Sequence, residues 1–382
     1  MRIAVNTLPV VPGITVSAET YTSCLVRSLL EVDSRNEYLL ILRRDNGHLF
    51  PKEGKGVSHV VSPVGGRSRV ARVLWEQMVL PWVCKSRGVD LLVIPTGVGP
   101  MWVPCPSVVI VTLMLAFRMP ESLPWLKRVY YRWSHAASIR QAGRVVALSE
   151  KGRQDIQRHL GLDASRIEVV YPGVPEEFRP NTPGNSSNSV SEVTGVRDYI
   201  LAVGPIQPYK NLDLLVRAFS MVRSRGFPHR LVIASAGQPV PSSLRRLAED
   251  SGVSGEVYFI ERFLTREELA ALYSGATVFV HPSSEEQFSL TVVEAMSCGT
   301  PVITSDHPSF REQVGDAGIV VEVGNPSHLC ESICAVLSDS VRQKDMSRRS
   351  LERSSRFSWR DSARRMLAIF EEVAAGEAQA VR

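Results

Sequence analysis

The sequence predicts an α/β protein built from two doubly wound domains, each with a parallel sheet covered by helices. Three observations lead to this prediction. Short apolar runs of strand length alternate with amphipathic helical patterns along the chain. The chain has 382 residues, 44% of them hydrophobic, which is enough for more than one core. A stretch rich in Pro, Asn, Ser and Gly at residues 180–195 interrupts the alternation and predicts an interdomain linker.

The first half of the chain alternates between strands and helices. Strands are predicted at Arg2–Asn6, Tyr38–Leu42, His59–Val64, Leu91–Ile94, Val108–Val111, Arg144–Leu148 and Glu168–Tyr171. The loop after the first strand contains Gly13, and the helix that follows carries Glu19 near its start. The segment from Leu91 to Phe117 has no charged residue, but its prolines and glycines argue against a membrane-spanning helix.

The second half begins again with a strand at Tyr199–Val203, a loop from Gly204 to Asn211 and an amphipathic helix. Thr265 and Glu268 have the spacing of a helix capping box. Further elements are predicted as strands at Leu231–Ala234, Val257–Ile260, Ala276–Val280, Val302–Ser305 and Ile319–Val321, and as a helix at Pro326–Leu337. We therefore place the domains at residues 1–178 and 198–357, with the linker at 179–197.

Charge and cysteine content argue against several classes of protein. The chain has 44 basic and 39 acidic residues, and a net charge of +5 is too small a surplus to indicate nucleic-acid binding. Six scattered cysteines form no CxxC pair and no cluster with histidine, which predicts reduced thiols and no metal site in a cytoplasmic protein. The N-terminal residues lack the pattern of a signal peptide.

The stretch His281–Pro301 carries the residues most indicative of chemistry. It follows a buried strand, turns through a Ser-Glu loop and enters a short helix near Thr291. Free backbone N–H groups at the start of such a helix favour a phosphate. Glu286 and Glu294 lie eight residues apart, so both carboxylates can face one cleft. Amides that bind a diphosphate and acids that bind hydroxyls together suit a nucleotide sugar.

This stretch resembles the signature of glycosyltransferase family 4, retaining enzymes of the GT-B fold. The family has two Glu residues with the same spacing as Glu286 and Glu294, followed by AMACGTPV; here residues 295–302 read AMSCGTPV. The resemblance implies two Rossmann-like domains that face each other across a cleft. It assigns the acceptor to the first domain and the nucleotide sugar to the second. It also implies that the terminal helix, within residues 358–382, packs back on the first domain.

The resemblance also assigns roles to individual residues. Lys210 corresponds to a lysine that binds the donor diphosphate, where negative charge develops as the glycosidic bond breaks. Glu286 is expected to orient the hydroxyls of the transferred sugar, and Glu294 to bind the ribose. Further donor contacts are expected from Gly204, Phe288, Ser289, Leu290 and Thr291, the last two through their amides. Catalysis is assigned to Glu286 and Lys210, with no metal ion and no cofactor other than the nucleotide sugar substrate, linked to GDP or UDP.

On the acceptor side the resemblance points to Gly13 in the first loop and to Glu19 as an acceptor contact. Arg118, Glu121 or Glu19 can approach in space the position where many members have the His-Asp pair. Glu19 is equally explained as an acid that complements the dipole at the start of its helix. His281 begins the signature loop and is equally explained as a hydrogen-bonded residue at a strand end.

Several positions depart from the family pattern. Leu113 and Met114 stand where many members have a His-Asp pair that contacts the donor sugar. Tyr209 and Pro205 stand where an arginine is common, so one cation is present where two are typical. Gln287 and Ser289 replace two glycines, which leaves the loop less free to adopt positive φ.

Two segments of the first domain are basic and aromatic. Arg67–Arg87 has five basic residues and one Glu, and Arg118–Arg144 has six basic residues and one Glu. Their aromatic residues are Trp75, Trp82, Trp125, Tyr130, Tyr131 and Trp133. Such a face can lie on anionic lipid, but amphipathic helices whose aromatic residues are buried and whose charges face solvent are the favoured explanation.

The sequence thus predicts a retaining, metal-independent hexosyltransferase, with mannose a candidate sugar, that acts on a glycan or lipid-linked acceptor in surface polysaccharide biosynthesis. The predicted location is the cytoplasm, with the inner face of the cell membrane as a candidate surface. The alternative is a catalytically degenerate homologue that binds nucleotide sugar and acts as a scaffold or regulatory partner. Loss of the His-Asp pair favours this alternative, whereas the departing phosphate oxygen can itself accept the acceptor's proton in a retaining transfer.

Overall fold

A computed structural model describes residues 1–65, 68–112, 114–180, 198–322 and 324–380. The predicted linker at 179–197 therefore lies, from residue 181 onward, outside the described residues. The chain divides into two compact units, one formed by Met1–Gly173 with Ser358–Arg382 and the other by Val174–Phe357.

Strands and helices alternate in both units. The strands are β1 Arg2–Asn6, β2 Glu37–Leu42, β3 Val57–Val61, β4 Leu91–Ile94, β5 Ser107–Val111, β6 Arg144–Ala147, β7 Ile167–Val169, β8 Tyr199–Val203, β9 Arg230–Ala234, β10 Val257–Ile260, β11 Val278–His281, β12 Val302–Ser305 and β13 Ile319–Val321. The helices are α1 Val16–Val32, α2 Arg69–Met78, α3 Leu80–Ser86, α4 Leu115–Arg118, α5 Trp125–Gln141, α6 Glu150–Leu160, α7 Leu212–Ser224, α8 Ser242–Asp250, α9 Arg266–Gly275, α10 Leu290–Ser297, α11 Pro308–Val314, α12 Pro326–Leu337, α13 Ser340–Ser354 and α14 Trp359–Ala380.

Each unit contains one parallel sheet. The sheet of the first unit has seven strands in the order β3-β2-β1-β4-β5-β6-β7, and that of the second has six in the order β10-β9-β8-β11-β12-β13. The strand order reverses direction beside β1 in the first sheet and beside β8 in the second. Ligands of doubly wound sheets bind at the carboxyl ends of the strands at this reversal, so these two places are where sites are expected.

The predicted strands agree with the structure to within a few residues. The largest difference is at β3, which ends at Val61 rather than Val64. Pro63 lies just beyond it, and proline has no N–H with which to continue the ladder of hydrogen bonds. The predicted capping box is confirmed: the Thr265 side chain accepts from the Glu268 backbone, and the Glu268 side chain accepts from the Thr265 backbone.

The boundary between the units lies at Gly173, five residues before the predicted end of the first domain at residue 178. Phe178 explains this difference, because its ring packs edge-on against Tyr273 at 5.9 Å within the core of the second unit. In the same unit the Val174 N–H donates to the Phe357 carbonyl at 3.1 Å.

Helix α14 packs on the first unit. The Tyr21 ring of α1 meets the Trp359 ring at 5.4 Å, and the Ser362 hydroxyl donates to the Tyr171 carbonyl at 2.5 Å. Gly173 is required here, because a Cβ at this position would overlap the backbone of Ser358 and Trp359. No helix among the described residues is both long and apolar enough to cross a membrane.

Candidate functional site

The candidate site of the second unit lies where its strand order reverses. Strands β8 and β11 are neighbours in the sheet, and both are parallel, so their carboxyl ends lie side by side. The loop after β8, residues 204–211, and the loop after β11, residues 282–289, therefore start next to each other. These are the two loops that contain most of the predicted donor-binding residues.

Hydrogen bonds join the two loops. The Ser284 N–H donates to the Tyr209 carbonyl at 2.8 Å, and the Asn211 side-chain amide donates to the Pro282 carbonyl at 2.9 Å. Asn211 has φ of +52°, a left-handed conformation that asparagine tolerates better than most residues. Gly204 has φ of +139°, which is open to glycine alone without strain. The backbone of both loops is thus held in one arrangement.

This arrangement brings Lys210 and Glu286 together. Their side chains form an ion pair and are only 11% and 14% exposed, respectively. Nε2 of His281 lies 3.6 Å from the same carboxylate, and the Lys210 ammonium lies over the Tyr209 ring, 5.5 Å from its centroid. Burial alone would raise the pKa of Glu286, but Lys210 and His281 outweigh it and lower that pKa to about 2. Glu286 is therefore ionised at all physiological pH values.

His281 is buried beside this pair. Burial lowers its pKa, and the neighbouring Lys210 charge lowers it further, although Glu286 opposes both effects. Its Nε2 also lies 3.3 Å from the Ser289 hydroxyl. We infer that His281 is neutral at physiological pH, with its Nε2 hydrogen-bonded to the Ser289 hydroxyl and close to the Glu286 carboxylate.

The start of helix α10 leaves backbone donors available. Ser289 precedes the helix, but its hydroxyl bonds His281 and, at 3.0 Å, the Thr291 hydroxyl, and it makes no capping hydrogen bond. The first amides of a helix have no acceptor within the helix, so the N–H groups of Leu290 and Thr291 are free of intrahelical partners. Such amides, together with the helix dipole, attract an anion.

The residues that replace glycine in this loop do not need positive φ. Gln287 and Ser289 are 2% and 3% exposed, and neither has positive φ. Both polar atoms of the Gln287 side chain are buried without a hydrogen-bond partner among the described residues. Phe288, a predicted donor contact, is also buried, with its ring edge-on to Phe357 at 5.4 Å.

Glu294 has a hydrogen-bond partner that is not part of the ion pair. It is 5% exposed, and its carboxylate accepts a hydrogen bond from the Tyr273 hydroxyl at 3.1 Å. Burial raises the pKa of Glu294 to about 7, even though Tyr273 and the Arg266 charge act in the opposite direction. The structure thus brings Lys210, His281, Glu286 and Ser289 into contact, while Glu294 on the same loop-helix segment has a separate partner.

The predicted acceptor-side residues have partners of their own. The Glu19 carboxylate accepts from the Gly13 N–H at 3.0 Å, and Gly13 has φ of +68°. Arg118 forms an ion pair with Asp155 at 2.6 Å. Of the pair that replaces His-Asp, Leu113 lies outside the described residues and Met114 is fully buried.

Sequence reasoning missed three further groups. Tyr273 is the partner of Glu294. It lies on α9, and its position in that sequence is typical of an ordinary core residue. Arg72 and His135 line a cavity in the first unit, and only their place in the basic-aromatic segments could have drawn attention to them.

Among the described residues, no group of three or more His, Cys, Asp and Glu side chains is arranged to hold a metal ion.

Solved structures resemble the chain over nearly its whole length. WaaG, described as a glycosyltransferase involved in lipopolysaccharide biosynthesis, matches with a TM-score of 0.72 and 17% identity over 97% of this chain and 99% of that one. The sucrose-phosphate synthase of Thermosynechococcus elongatus matches with a TM-score of 0.78 and 17% identity over 98% and 100%. HepE of Anabaena, solved with UDP-glucose, matches with a TM-score of 0.74 and 17% identity over 97% and 100%. These matches confirm the GT-B fold class.

Curated relatives are similar over part of their length. The D-inositol 3-phosphate glycosyltransferase 1 of Catenulispora acidiphila is 31% identical over 254 residues, which are 63% of this chain and 60% of the relative. The O-antigen chain mannosyltransferase B of Escherichia coli is 27% identical over 245 residues, 64% of each chain. The chain therefore spans less than two thirds of the length of these relatives.

Two family models match the sequence in succession. The model of Glycosyltransferase Family 4 matches residues 18–178, and that of Glycosyl transferases group 1 matches residues 189–353. Together they span most of the chain, including both loops of the candidate site. The chain therefore belongs to glycosyltransferase family 4, the group 1 glycosyl transferases.

Proposed function

We propose that the protein transfers a hexose from a nucleotide diphosphate sugar to a glycan or lipid-linked acceptor, with retention of the anomeric configuration. The observation that carries the proposal is the ion pair of Lys210 and Glu286 at the carboxyl end of the second sheet. The ion pair lies on the loops next to the free amides of α10. A cation, an ionised acid and helix amides can therefore contact the same ligand. This combination suits a phosphate bonded to a sugar.

Each group has a distinct part in this proposal. Lys210 and the amides of Leu290 and Thr291 bind the diphosphate and stabilise the charge that develops as it departs. Because these groups supply positive potential, the proposed transfer needs no metal ion. Glu286 stays ionised and accepts hydrogen bonds from the hydroxyls of the hexose, which fixes the sugar for attack. Glu294 binds the ribose through the carboxylate oxygen that does not bond Tyr273.

Two similar proteins support a proposal for the pathway class of this reaction. One similar protein is an O-antigen chain mannosyltransferase, and a similar structure concerns lipopolysaccharide biosynthesis. We therefore propose a role in surface polysaccharide biosynthesis, with mannose as the first sugar to test and GDP and UDP as the first two nucleotides.

Donor binding and product analysis test the proposal. In a thermal-shift panel of GDP- and UDP-linked hexoses, we expect one donor to raise the melting temperature. Glu294→Ala should weaken binding of that donor about tenfold or more, because a hydrogen bond to a charged group contributes about 1.5–3 kcal/mol. NMR of the product should show the anomeric configuration of the donor. Unchanged affinity of the variant would contradict the ribose assignment, and an inverted product would contradict the retaining mechanism.

A second candidate function is a binding protein without turnover. Met114 favours it, because this apolar, fully buried side chain stands where many members have an acid that forms part of a catalytic pair. The same assay separates the two functions. A donor that binds but is neither transferred nor hydrolysed over hours would favour the scaffold or regulatory partner.

Peripheral membrane contact is part of the proposal, and the exposed faces of α2, α3 and α5 support it. Along α2, Val70, Leu74 and Met78 are 58–75% exposed and lie four residues apart on one side of the helix. Trp82 of α3 and Trp125 and Trp133 of α5 are 57–67% exposed. Apart from Trp75, the tryptophans of these segments are not buried within the unit, which supports this part of the proposal.

Charge favours anionic lipid as the surface that covers these side chains. The same helices carry basic residues. Glu76, the one acidic residue of α2, is buried and forms an ion pair with Arg72. Tryptophan prefers the headgroup region, and each basic residue close to an anionic surface contributes about 1 kcal/mol. We therefore propose that the protein binds the cytoplasmic face of a membrane that contains anionic lipid.

Vesicle sedimentation tests this contact. We expect the full chain to bind vesicles of phosphatidylglycerol and phosphatidylcholine, and the double variant Trp125→Ser with Trp133→Ser to bind about tenfold more weakly, because two aromatic side chains no longer insert. Phe263→Ser, which removes an exposed aromatic side chain in the second unit, is the matched control. Equal binding by the double variant and the control would contradict the proposal.

A further inference from the structure

The two loops of the candidate site carry no net positive charge. Residues 204–211 and 282–289 include one lysine, Lys210, and two glutamates, Glu285 and Glu286. The ion pair with Glu286 offsets the charge of Lys210, and burial keeps His281 beside the pair neutral. A diphosphate bound here would therefore depend on hydrogen-bond donors in addition to the Lys210 charge.

Side-chain hydroxyls can supply such donors, and the two loops contain four of them. The hydroxyls of Ser283 and Ser284 both donate to the Tyr209 carbonyl, at 3.1 and 3.2 Å. The Ser289 hydroxyl bonds the neighbouring histidine and threonine. The fourth hydroxyl, that of Tyr209, has no hydrogen-bond partner among the described residues. It is therefore the hydroxyl of these loops that is available to a ligand.

The Tyr209 hydroxyl is also accessible. The side chain is half-buried, and its oxygen is not enclosed by the protein, unlike the buried hydroxyl oxygen of Tyr130. The Lys210 ammonium lies over the Tyr209 ring, 5.5 Å from its centroid. A ligand that contacts Lys210 is therefore within reach of the phenol.

The backbone of Tyr209 is fixed to the loop that carries Glu286. Its carbonyl accepts from the Ser284 N–H at 2.8 Å, in addition to the hydroxyls of Ser283 and Ser284. These bonds tie the loop after β8 to the loop after β11, which leads into α10. A donor that is already held in place loses little conformational freedom when a ligand binds.

The phenol of Tyr209 keeps its proton. Burial raises the pKa of Tyr209, and the negative charges of Glu286 and Glu285 raise it further. A protonated phenol donates a hydrogen bond, and phosphate oxygens are strong acceptors. The hydroxyls of a hexose, in contrast, have the Glu286 carboxylate as their acceptor in the proposed function. The chemistry of the phenol therefore matches the phosphate part of the donor.

We propose that Tyr209 is a further donor-binding residue, whose hydroxyl donates a hydrogen bond to a phosphate oxygen of the diphosphate beside Lys210. This inference rests on the proposed function and adds one residue to its diphosphate contacts. The neutral phenol provides a donor without placing a second positive charge beside Lys210. Salt screens charges and affects a neutral donor less, so this contact should persist as the salt concentration rises.

Calorimetric titration of the purified full chain with UDP, GDP and the corresponding nucleotide sugars tests the inference. Tyr209→Phe removes only the hydroxyl and keeps the ring over Lys210. It should weaken binding of the nucleoside diphosphate about tenfold or more, because a hydrogen bond to a charged group is lost. The melting temperature without ligand should not change, since the hydroxyl has no partner in the free protein. Tyr258→Phe, which removes a hydroxyl bonded to Arg230 on half-buried β10, is the matched control and should leave the affinity unchanged.

The possible results separate this inference from the proposed function. Equal affinity of the Tyr209 and Tyr258 variants for a nucleoside diphosphate that binds the wild type would overturn the inference and leave the proposed function in place. A loss confined to the nucleotide sugar would assign the hydroxyl to the hexose, which also overturns the inference. If neither UDP nor GDP bound the wild type, the proposed function would be contradicted, and the inference with it.

Tyr209→Arg tests whether the contact is a neutral hydrogen bond to phosphate. A guanidinium can also donate to phosphate, and it adds one positive charge. We expect this variant to bind the nucleoside diphosphate at least as tightly as the wild type at about 0.05 M salt, and to lose affinity more steeply than the wild type as salt rises to about 0.5 M. Binding at low salt as weak as that of Tyr209→Phe would contradict a phosphate contact at this position.

Discussion

Replacing Lys210 with methionine is expected to lower the rate of sugar transfer about 10²–10³-fold, the loss typical of one group that stabilises developing negative charge. Lys210 is the cation that the structure places on the paired loops of the second unit, in contact with Glu286. In the proposed transfer the departing diphosphate gains charge in the transition state, so the loss should appear mainly in kcat rather than in KM. Single-turnover kinetics with the donor identified by the thermal-shift panel would measure it.

Loss of Lys210 also leaves Glu286 without its ammonium partner, which by itself destabilises the fold by about 3 kcal/mol. The double variant Lys210→Met with Glu286→Gln separates the two effects. It removes both charges, so we expect stability to recover while transfer stays low. Arg217→Gln, on the exposed side of α7, is the control for loss of one cation. A double variant with the wild-type transfer rate would show that the pair is structural.

Replacing Glu294 with glutamine is expected to stabilise the protein at pH 8 by about 3 kcal/mol relative to the wild type. The reason is the pKa of Glu294, which burial raises from an ordinary value of 4.5 to about 7. Below about pH 4.5 the carboxyl is protonated in both the folded and the unfolded state. Between these two pKa values only the folded state holds the proton, so stability falls as pH rises. Above about pH 7 both states are ionised, and the loss is complete.

Glutamine cannot ionise and still accepts a hydrogen bond from Tyr273, so the variant should lose this pH dependence. Differential scanning calorimetry of both proteins at pH 5 and pH 8 would measure it. We expect a melting temperature several degrees higher than wild type at pH 8 and little difference at pH 5. Glu267→Gln, at an exposed position of α9, is the control. A difference that does not change with pH would contradict a raised pKa at Glu294.

An ionised Glu294 that lowers stability has a functional interpretation. Buried acids are generally retained where a ligand needs them, and ribose hydroxyls would supply the hydrogen bonds that the carboxylate lacks in the free protein. Glu294→Gln should therefore increase stability and weaken donor binding together. This opposite change in two measurable quantities distinguishes a binding residue from a core residue with an unfavourable charge.

The sequence by itself determined the fold class and the position of nearly every strand. Strands such as Tyr199–Val203 and Val302–Ser305 could be predicted to the residue, because a run of apolar side chains and the turn that ends it are local features. The family signature placed Glu286 and Glu294 on one loop-helix segment for the same reason. The short helix predicted near Thr291 begins at Leu290.

Only the tertiary structure decided which of these residues meet. Lys210 and Glu286 are 76 residues apart, and they come into contact because β8 and β11 are neighbours in a sheet whose strand order is not the chain order. The partner of Glu294, Tyr273, lies on another helix for the same reason. Exposure was equally beyond the sequence: the spacing of Trp125 and Trp133 is the same for a helix that faces a core and for one that faces solvent. Which side is covered depends on contacts distant in sequence, and these contacts also enclose the cavity that Arg72 and His135 line.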